Sequence, residues 1–208
     1  ITSGDGRAAG QPLAAEEAEL KFCALRPFHP LRLHAALLAI AEDEGNGAGT
    51  SKVRIDGLGW LASQPGLQAL VRSHPASGAI EVDPGDPWWA SVPRERWPRG
   101  LAEDIGPMWH EPTGDRQIDL TLSEGTHEAR LQIRSRLEQC LATDAEAALG
   151  PNALEDPYAE EWRRVLDEEA AQQRADVMGD AMRKAAQAKG QRKSEAVAAP
   201  EPACEPCD

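Results

Sequence analysis

Alternation of hydrophobic and polar residues predicts strands at four places in the chain. The clearest is residues 114–125, where Ile118, Leu120 and Leu122 alternate with polar side chains. Successive side chains of a strand point to opposite faces, so this pattern predicts a sheet with one buried and one exposed face. The other predicted strands are residues 20–24, 51–62 and 78–82.

Apolar residues at helical spacing predict helices after the first and the last of these strands. Pro30 suits the first turn of a helix, where its missing N–H is no loss, and Leu33, Leu37 and Ile40 follow before Gly45 ends the run. A second helix is predicted because Ile133, Leu137, Cys140 and Leu141 would fall on one face of it. Thr143 and Glu146 fit a capping box for a short helix behind it.

Three linking segments are interpreted from their glycine and proline content. A change of phase across Gly57 predicts a β-bulge. Residues 64–73, which read QPGLQALVRS, predict a turn and a short helix. Residues 45–52 contain the residue types of a phosphate loop, but the lysine comes last and a strand follows, so a flexible loop is the preferred interpretation.

The elements sum to an α+β protein: a two-layer, largely antiparallel or mixed sheet with helices on one face. A long polar helix follows, with only a thin apolar stripe at Trp162, Val165 and Leu166. The predicted boundaries are a flexible segment at 1–17, the α+β domain at 18–155, the polar helix at 156–189 and a disordered tail at 190–208.

The charge balance excludes several classes of function. The net charge of −13 disfavours nucleic acid and anionic membranes as partners, because phosphate contacts require clustered Lys and Arg. No apolar run has the length of a membrane span.

Four scattered cysteines predict a reducing compartment, so we expect a cytoplasmic protein, or one in an organelle matrix if a transit peptide was removed. Because the chain begins with Ile1, we interpret it as a fragment or a processed product.

Few residues offer chemistry. No nucleophile elbow or acid–base constellation is visible, so no catalytic residue is assigned and enzymatic activity stays open. Cys23 and Cys140 are interpreted as small buried hydrophobes. The CEPC sequence at Cys204 and Cys207 suits zinc, with His29 or the loop residue His110 as a further candidate ligand.

His29 stands between two prolines at a predicted strand-to-helix corner. Phe28 is expected to point inward, and the His29 imidazole to cap the helix by accepting a backbone N–H. The six tryptophans predict a cluster on a sheet face or a surface for a partner.

In this order, the segments resemble the C-terminal domain of the CobW family of metallochaperone-type P-loop GTPases. The resemblance spans roughly residues 18–162 and rests on RPFHPLRL, RIDGLGWLA, PWWASVPRERWP, GDRQIDLTL and LEQCLATDAEAALGP with DPYAEEW. The matching positions taken as interaction or structural residues are Arg26, Phe28, His29, Arg54, Trp60, Trp88, Trp89, Asp115 and Arg116. Asp56 departs from the pattern, since the family usually has lysine there.

The resemblance implies a non-catalytic interaction or regulatory module of a GTP-dependent zinc or cobalt chaperone system. Its partner would be a P-loop GTPase domain or a client metalloprotein. GTP would bind only to that partner domain, because the chain contains no Walker A motif. The family's Cys-x-Cys-Cys metal motif does not occur in the chain either. The alternative is a stand-alone zinc-binding module that uses Cys204 and Cys207.

Overall fold

The computed structural model describes residues 19–45, 53–74 and 77–197, with side chains through residue 184 on the last helix. The strands are β1 (Glu19–Ala24), β2 (Arg54–Gly59), β3 (Leu67–Ser73), β4 (Ile80–Pro87) and β5 (Ile118–Ser123). The α-helices are α1 (Pro30–Gly45), α2 (Leu101–Ile105), α3 (His127–Gln139), α4 (Asp144–Ala148) and α5 (Ala159–Val197). Short 3-10 turns lie between β4 and β5 and before α5.

The five strands form one sheet in the order β1-β5-β2-β3-β4, and every neighbouring pair is antiparallel. β5 lies between β1 and β2 and pairs with both, so its alternating residues are flanked by a strand on each side. Ile118, Leu120 and Leu122 are fully buried, whereas Asp119 and Thr121 lie on the opposite face. The predicted α+β class is therefore confirmed.

Helices α1 and α3 pack on the buried face of this sheet and against each other. The shared core is aliphatic and aromatic, and its members come from both helices and all five strands. They include Phe22, Leu33, Leu37, Ile40, Ile55, Val71, Val82, Leu120, Leu122, Ile133 and Leu137. The predicted start of α1 at Pro30 and the predicted helix with Ile133 and Leu137 inward are thus confirmed.

Two local predictions are wrong. Residues 67–73 form strand β3 rather than a short helix, because Ala69 and Val71 alternate onto the buried face between β2 and β4. No bulge interrupts β2: its pairing with β5 runs in unbroken register through Gly57. Gly57 instead has a φ of 140°, and a Cβ there would lie 2.3 Å from the Asp119 carbonyl oxygen.

Helix α5 begins and ends later than the predicted range of 156–189. The chain divides into two compact units after Trp162, whose buried indole belongs to the first unit. Residues 1–17, predicted to be flexible, lie outside the described residues, as do positions 198–208 of the predicted tail. None of the helices within the described ranges has the length and apolar character needed to cross a membrane.

Candidate functional site

The PFHP corner is held between two other segments of the chain. The Phe28 N–H donates to the Trp60 carbonyl at 2.7 Å, and the Ala62 N–H donates to the Phe28 carbonyl at 2.9 Å. On the other side, the His29 N–H donates to the Cys140 carbonyl at 2.8 Å. The Phe28 side chain is fully buried and stacks on Phe22. The corner thus joins the end of β2 and the end of α3 to the start of α1.

Two arginines reinforce this corner from outside. Arg26 donates to the Ala142 carbonyl at 2.7 Å and lies 3.3 Å from the Asp144 carboxylate. Arg32 forms a bidentate pair with Glu146 at 2.8 and 2.7 Å, while Glu146 also completes the predicted capping box with Thr143. The Arg32 guanidinium and the Thr143 N–H lower the pKa of Glu146 to about 2.

His29 does not cap the helix through its side chain. Its carbonyl accepts the Leu33 N–H at 3.0 Å, but its buried Nδ1 has no hydrogen-bond partner among the described residues. The expectation that the imidazole accepts a backbone N–H is therefore wrong. The backbone hydrogen bonds to Trp60, Ala62 and Cys140 already fix this corner, so the side chain is not needed as a cap.

The predicted thiol and metal residues fall into different places. Cys140 is buried, and burial raises the pKa of its thiol to about 11, as expected for an inert core residue. Cys23 is exposed on the open face of the sheet, so its predicted burial is wrong. Cys204 and Cys207 lie outside the described residues. Within the described ranges, no three His, Cys, Asp or Glu side chains gather so as to hold a metal ion.

Asp115 and Arg116 fasten the loop that carries Trp88 and Trp89. The buried Asp115 carboxylate accepts the N–H groups of Trp89 at 2.9 Å and Ala90 at 2.8 Å. Arg116 donates to the Pro65 carbonyl and to the Ser91 hydroxyl, both at 2.8 Å. These two residues of the GDR motif therefore hold the β4–β5 connection against the turn before β3.

The six tryptophans divide into two groups of three. Trp60, Trp88 and Trp162 are buried in the core. Trp89, Trp97 and Trp109 are half-buried and stack edge to face in series, with ring centroids 6.3 and 5.8 Å apart. The guanidinium of the exposed Arg94 lies 5.1 Å from the Trp97 ring and 5.5 Å from the Trp109 ring. We call Trp89, Arg94, Trp97 and Trp109 the tryptophan–arginine cluster.

This cluster borders a surface cavity of about 280 Å³ that Ala102, Ile105 and Gly106 also line. Tryptophan and arginine are the residue types most enriched at the energetic centres of protein interfaces. The sequence indicated the tryptophans but missed Arg94 and the cavity. RERWP has no periodicity, so only the folded loop shows which of its side chains meet.

Arg54 and Asp56 lie on β2, on the open face of the sheet, and are not part of the loop that carries the cluster. Asp56 accepts the Ser73 N–H at 3.2 Å and lies 3.4 Å from Arg54 Nε. Arg54 also approaches Glu124 at 3.8 Å. Asp56, the residue that departs from the CobW-like pattern, is thus held by groups of its own sheet.

Comparison with known proteins identifies distant relatives. The chain is 30% identical over 145 residues to zinc-regulated GTPase metalloprotein activator 1 of Dictyostelium discoideum, covering 69% of this chain and 27% of that protein. It is 35% identical over 118 residues to a zinc chaperone of Mycobacterium tuberculosis, covering 53% of this chain and again 27% of the relative. An uncharacterized protein of Mycobacterium bovis matches to the same extent.

The chain thus spans about a quarter of the length of these curated relatives. No family model matches it, and no solved structure matches it significantly. These relatives are of the type that the CobW-like resemblance of the motifs predicts. Over part of its length, the chain is a distant homologue of a zinc-regulated GTPase metalloprotein activator and of a zinc chaperone.

Proposed function

We propose that the chain is a CobW C-terminal-type domain that works as a non-catalytic interaction module of a GTP-dependent zinc or cobalt chaperone system. The observation that carries the proposal is the identity of 30–35% to two proteins named for zinc handling, one of them also for a GTPase. The module would dock on a P-loop GTPase domain and pass on the nucleotide state of that domain to a client metalloprotein.

The tryptophan–arginine cluster is the surface that best suits this docking. Its three rings and one guanidinium are only partly covered, and the hydrogen bonds of Asp115 and Arg116 fix the loop beneath Trp89 and Ala90. A fixed aromatic surface loses little conformational entropy when a partner covers it. By contrast, the corner residues Phe28 and Trp60 are buried and available only as framework.

Affinity capture with a CobW-type GTPase domain, loaded with GTP or with GDP, tests the proposal. The full chain is expected to bind one nucleotide state more tightly than the other. A chain that binds neither state would contradict the docking function.

A second candidate function is zinc binding by the chain itself. Two observations favour it: the Cys-x-x-Cys spacing of Cys204 and Cys207, and the zinc named for both relatives. Thiolates suit zinc, but one pair supplies only two of the four ligands of a structural site. Zinc titration under native mass spectrometry should therefore show at most one weakly held ion, which is lost in the variant C204S/C207S. Unchanged zinc affinity in that variant would remove the cysteine pair from the account.

A further inference from the structure

Arg94 is a cation that two indole rings hold in place. Its guanidinium lies 5.1 and 5.5 Å from the ring centroids of Trp97 and Trp109, but it forms no hydrogen bond or ion pair with any residue that the structure describes. A guanidinium carries five N–H donors in a planar fork that matches a carboxylate. The two rings therefore favour one position for a charged group whose donors remain available to a partner.

The acidic side chains of the neighbouring elements do not neutralise Arg94 by direct contact. Glu111 accepts the Trp109 indole N–H at 2.9 Å instead. Glu103 and Asp104 are exposed on α2, and neither pairs with Arg94. The described part of the chain thus leaves the pairing of Arg94 to another molecule. Because these three carboxylates repel a strongly acidic segment, a single carboxylate in direct contact suits this surface better than an acidic run.

The cavity beside Arg94 has the size and the lining for one side chain. Its volume of about 280 Å³ lies just below the range of about 300–1,000 Å³ that is typical of pockets for small molecules. The indole rings and the buried Ile105 offer apolar surface for a methylene stem, while Arg94 offers a charge for the end of that stem. A cavity of this kind suits an acidic side chain better than a cofactor or a nucleotide.

We infer that the docking partner places a glutamate or aspartate side chain in this cavity, with its carboxylate on the Arg94 guanidinium. The inference rests on the docking function proposed above and adds the chemistry of the partner's contact. The guanidinium donates its N–H groups to the carboxylate, and the rings of Trp97 and Trp109 keep water from one side of the pair. Partial exclusion of water strengthens such a pair relative to a fully exposed one.

Titration of the full chain with a matched pair of peptides tests this contact. N-acetylated and C-amidated Ala-Glu-Ala and Ala-Gln-Ala have nearly the same shape and differ in one charge, and sodium chloride keeps the ionic strength of the two titrations equal. The indole N–H signals of the ¹⁵N-labelled chain, assigned with the variants W97F and W109F, report binding at the cavity. The glutamate peptide should bind at least about fivefold more tightly than the glutamine peptide.

Two variants decide whether Arg94 recognises the charge. In R94Q the preference for the glutamate peptide should disappear, whereas R99Q, which removes an exposed arginine of the same loop outside the cavity lining, should keep it. Both variants should keep the native melting temperature, because both arginines are exposed.

Equal binding of the two peptides to the native chain, or an unchanged preference in R94Q, would overturn the inference. A native chain that prefers the glutamate peptide but binds a CobW-type GTPase domain in neither nucleotide state would instead contradict the docking function, and the carboxylate preference of the cavity would stand. The two failures are therefore distinguishable.

Discussion

The PFHP corner and the tryptophan–arginine cluster both come from motifs that resemble one family, but they are built in opposite ways. At the corner, the aromatic residue Phe28 is fully buried and the backbone makes hydrogen bonds to segments on both sides. In the cluster, Trp89, Trp97 and Trp109 stack edge to face in series, Arg94 lies against two of the rings, and all three rings remain partly accessible. The corner is therefore part of the framework of the fold, whereas the cluster offers a surface.

The difference teaches that a family motif does not by itself mark a functional residue. Of the residues predicted for interaction or structure, Phe28, Trp60, Trp88 and Asp115 are buried and serve the framework. The accessible cluster contains Arg94, which the sequence did not single out, beside tryptophans that it did. The following predictions separate the two roles, starting with the largest expected effect.

Phe28→Ala should have the largest effect on stability. Removing a fully buried phenyl ring that stacks on Phe22 should lower the free energy of unfolding by about 3–5 kcal/mol. Urea unfolding monitored by circular dichroism measures this change. Leu25→Ala, at an exposed position two residues before the corner's Pro27, is the control and should cost less than about 0.5 kcal/mol. A loss below about 1 kcal/mol in the Phe28 variant would contradict the framework role.

Asp115→Ala should have an intermediate effect. It leaves the N–H groups of Trp89 and Ala90 without their acceptor, which should cost about 2–4 kcal/mol. The near-ultraviolet circular dichroism of the tryptophans should also weaken as the loop loosens. Glu95→Ala, at an exposed acidic position of the same loop, should change neither quantity. Equal behaviour of the two variants would mean that the carboxylate does not hold the loop.

Glu146 should make a smaller contribution that depends on pH. Its folded-state pKa of about 2 lies below its ordinary value of 4.5, so its pair with Arg32 stabilises the protein above pH 4.5. That contribution should be lost as the pH falls from 4.5 toward 2. In Glu146→Gln this part of the pH dependence should be absent, whereas Glu128→Gln, at an exposed position of α3, should retain it. Identical acid profiles for the native chain and Glu146→Gln would refute the pairing.

Much of the fold could be predicted because local patterns and tertiary packing agree. The alternation at Ile118, Leu120 and Leu122 and the capping box at Thr143 both correspond to the structure. Strand β3 could not be predicted, because a short apolar run such as ALV suits a helix or a strand, and only its pairing with β2 and β4 decides.

The candidate site could be predicted only in part. Tryptophan content indicated an aromatic cluster, but the division into three buried and three partly exposed rings follows from the path of the loop between β4 and β5. Arg94 lies near Trp97 in the sequence, but its contact with Trp109 depends on the path of the loop, so no local pattern indicates the pair of rings. Likewise, packing at the corner leaves the Nδ1 of His29 without a hydrogen-bond partner among the residues that the structure describes.

The most direct test of the docking role compares two arginines of one loop. Arg94→Ala removes the guanidinium that covers Trp97 and Trp109, whereas Arg99→Ala removes an exposed arginine nearby and serves as the control. Isothermal titration with a CobW-type GTPase domain should show about tenfold weaker binding for Arg94→Ala, with unchanged thermal stability, and near-native binding for Arg99→Ala. Native affinity in the Arg94 variant would contradict the assignment of the cluster as the docking surface.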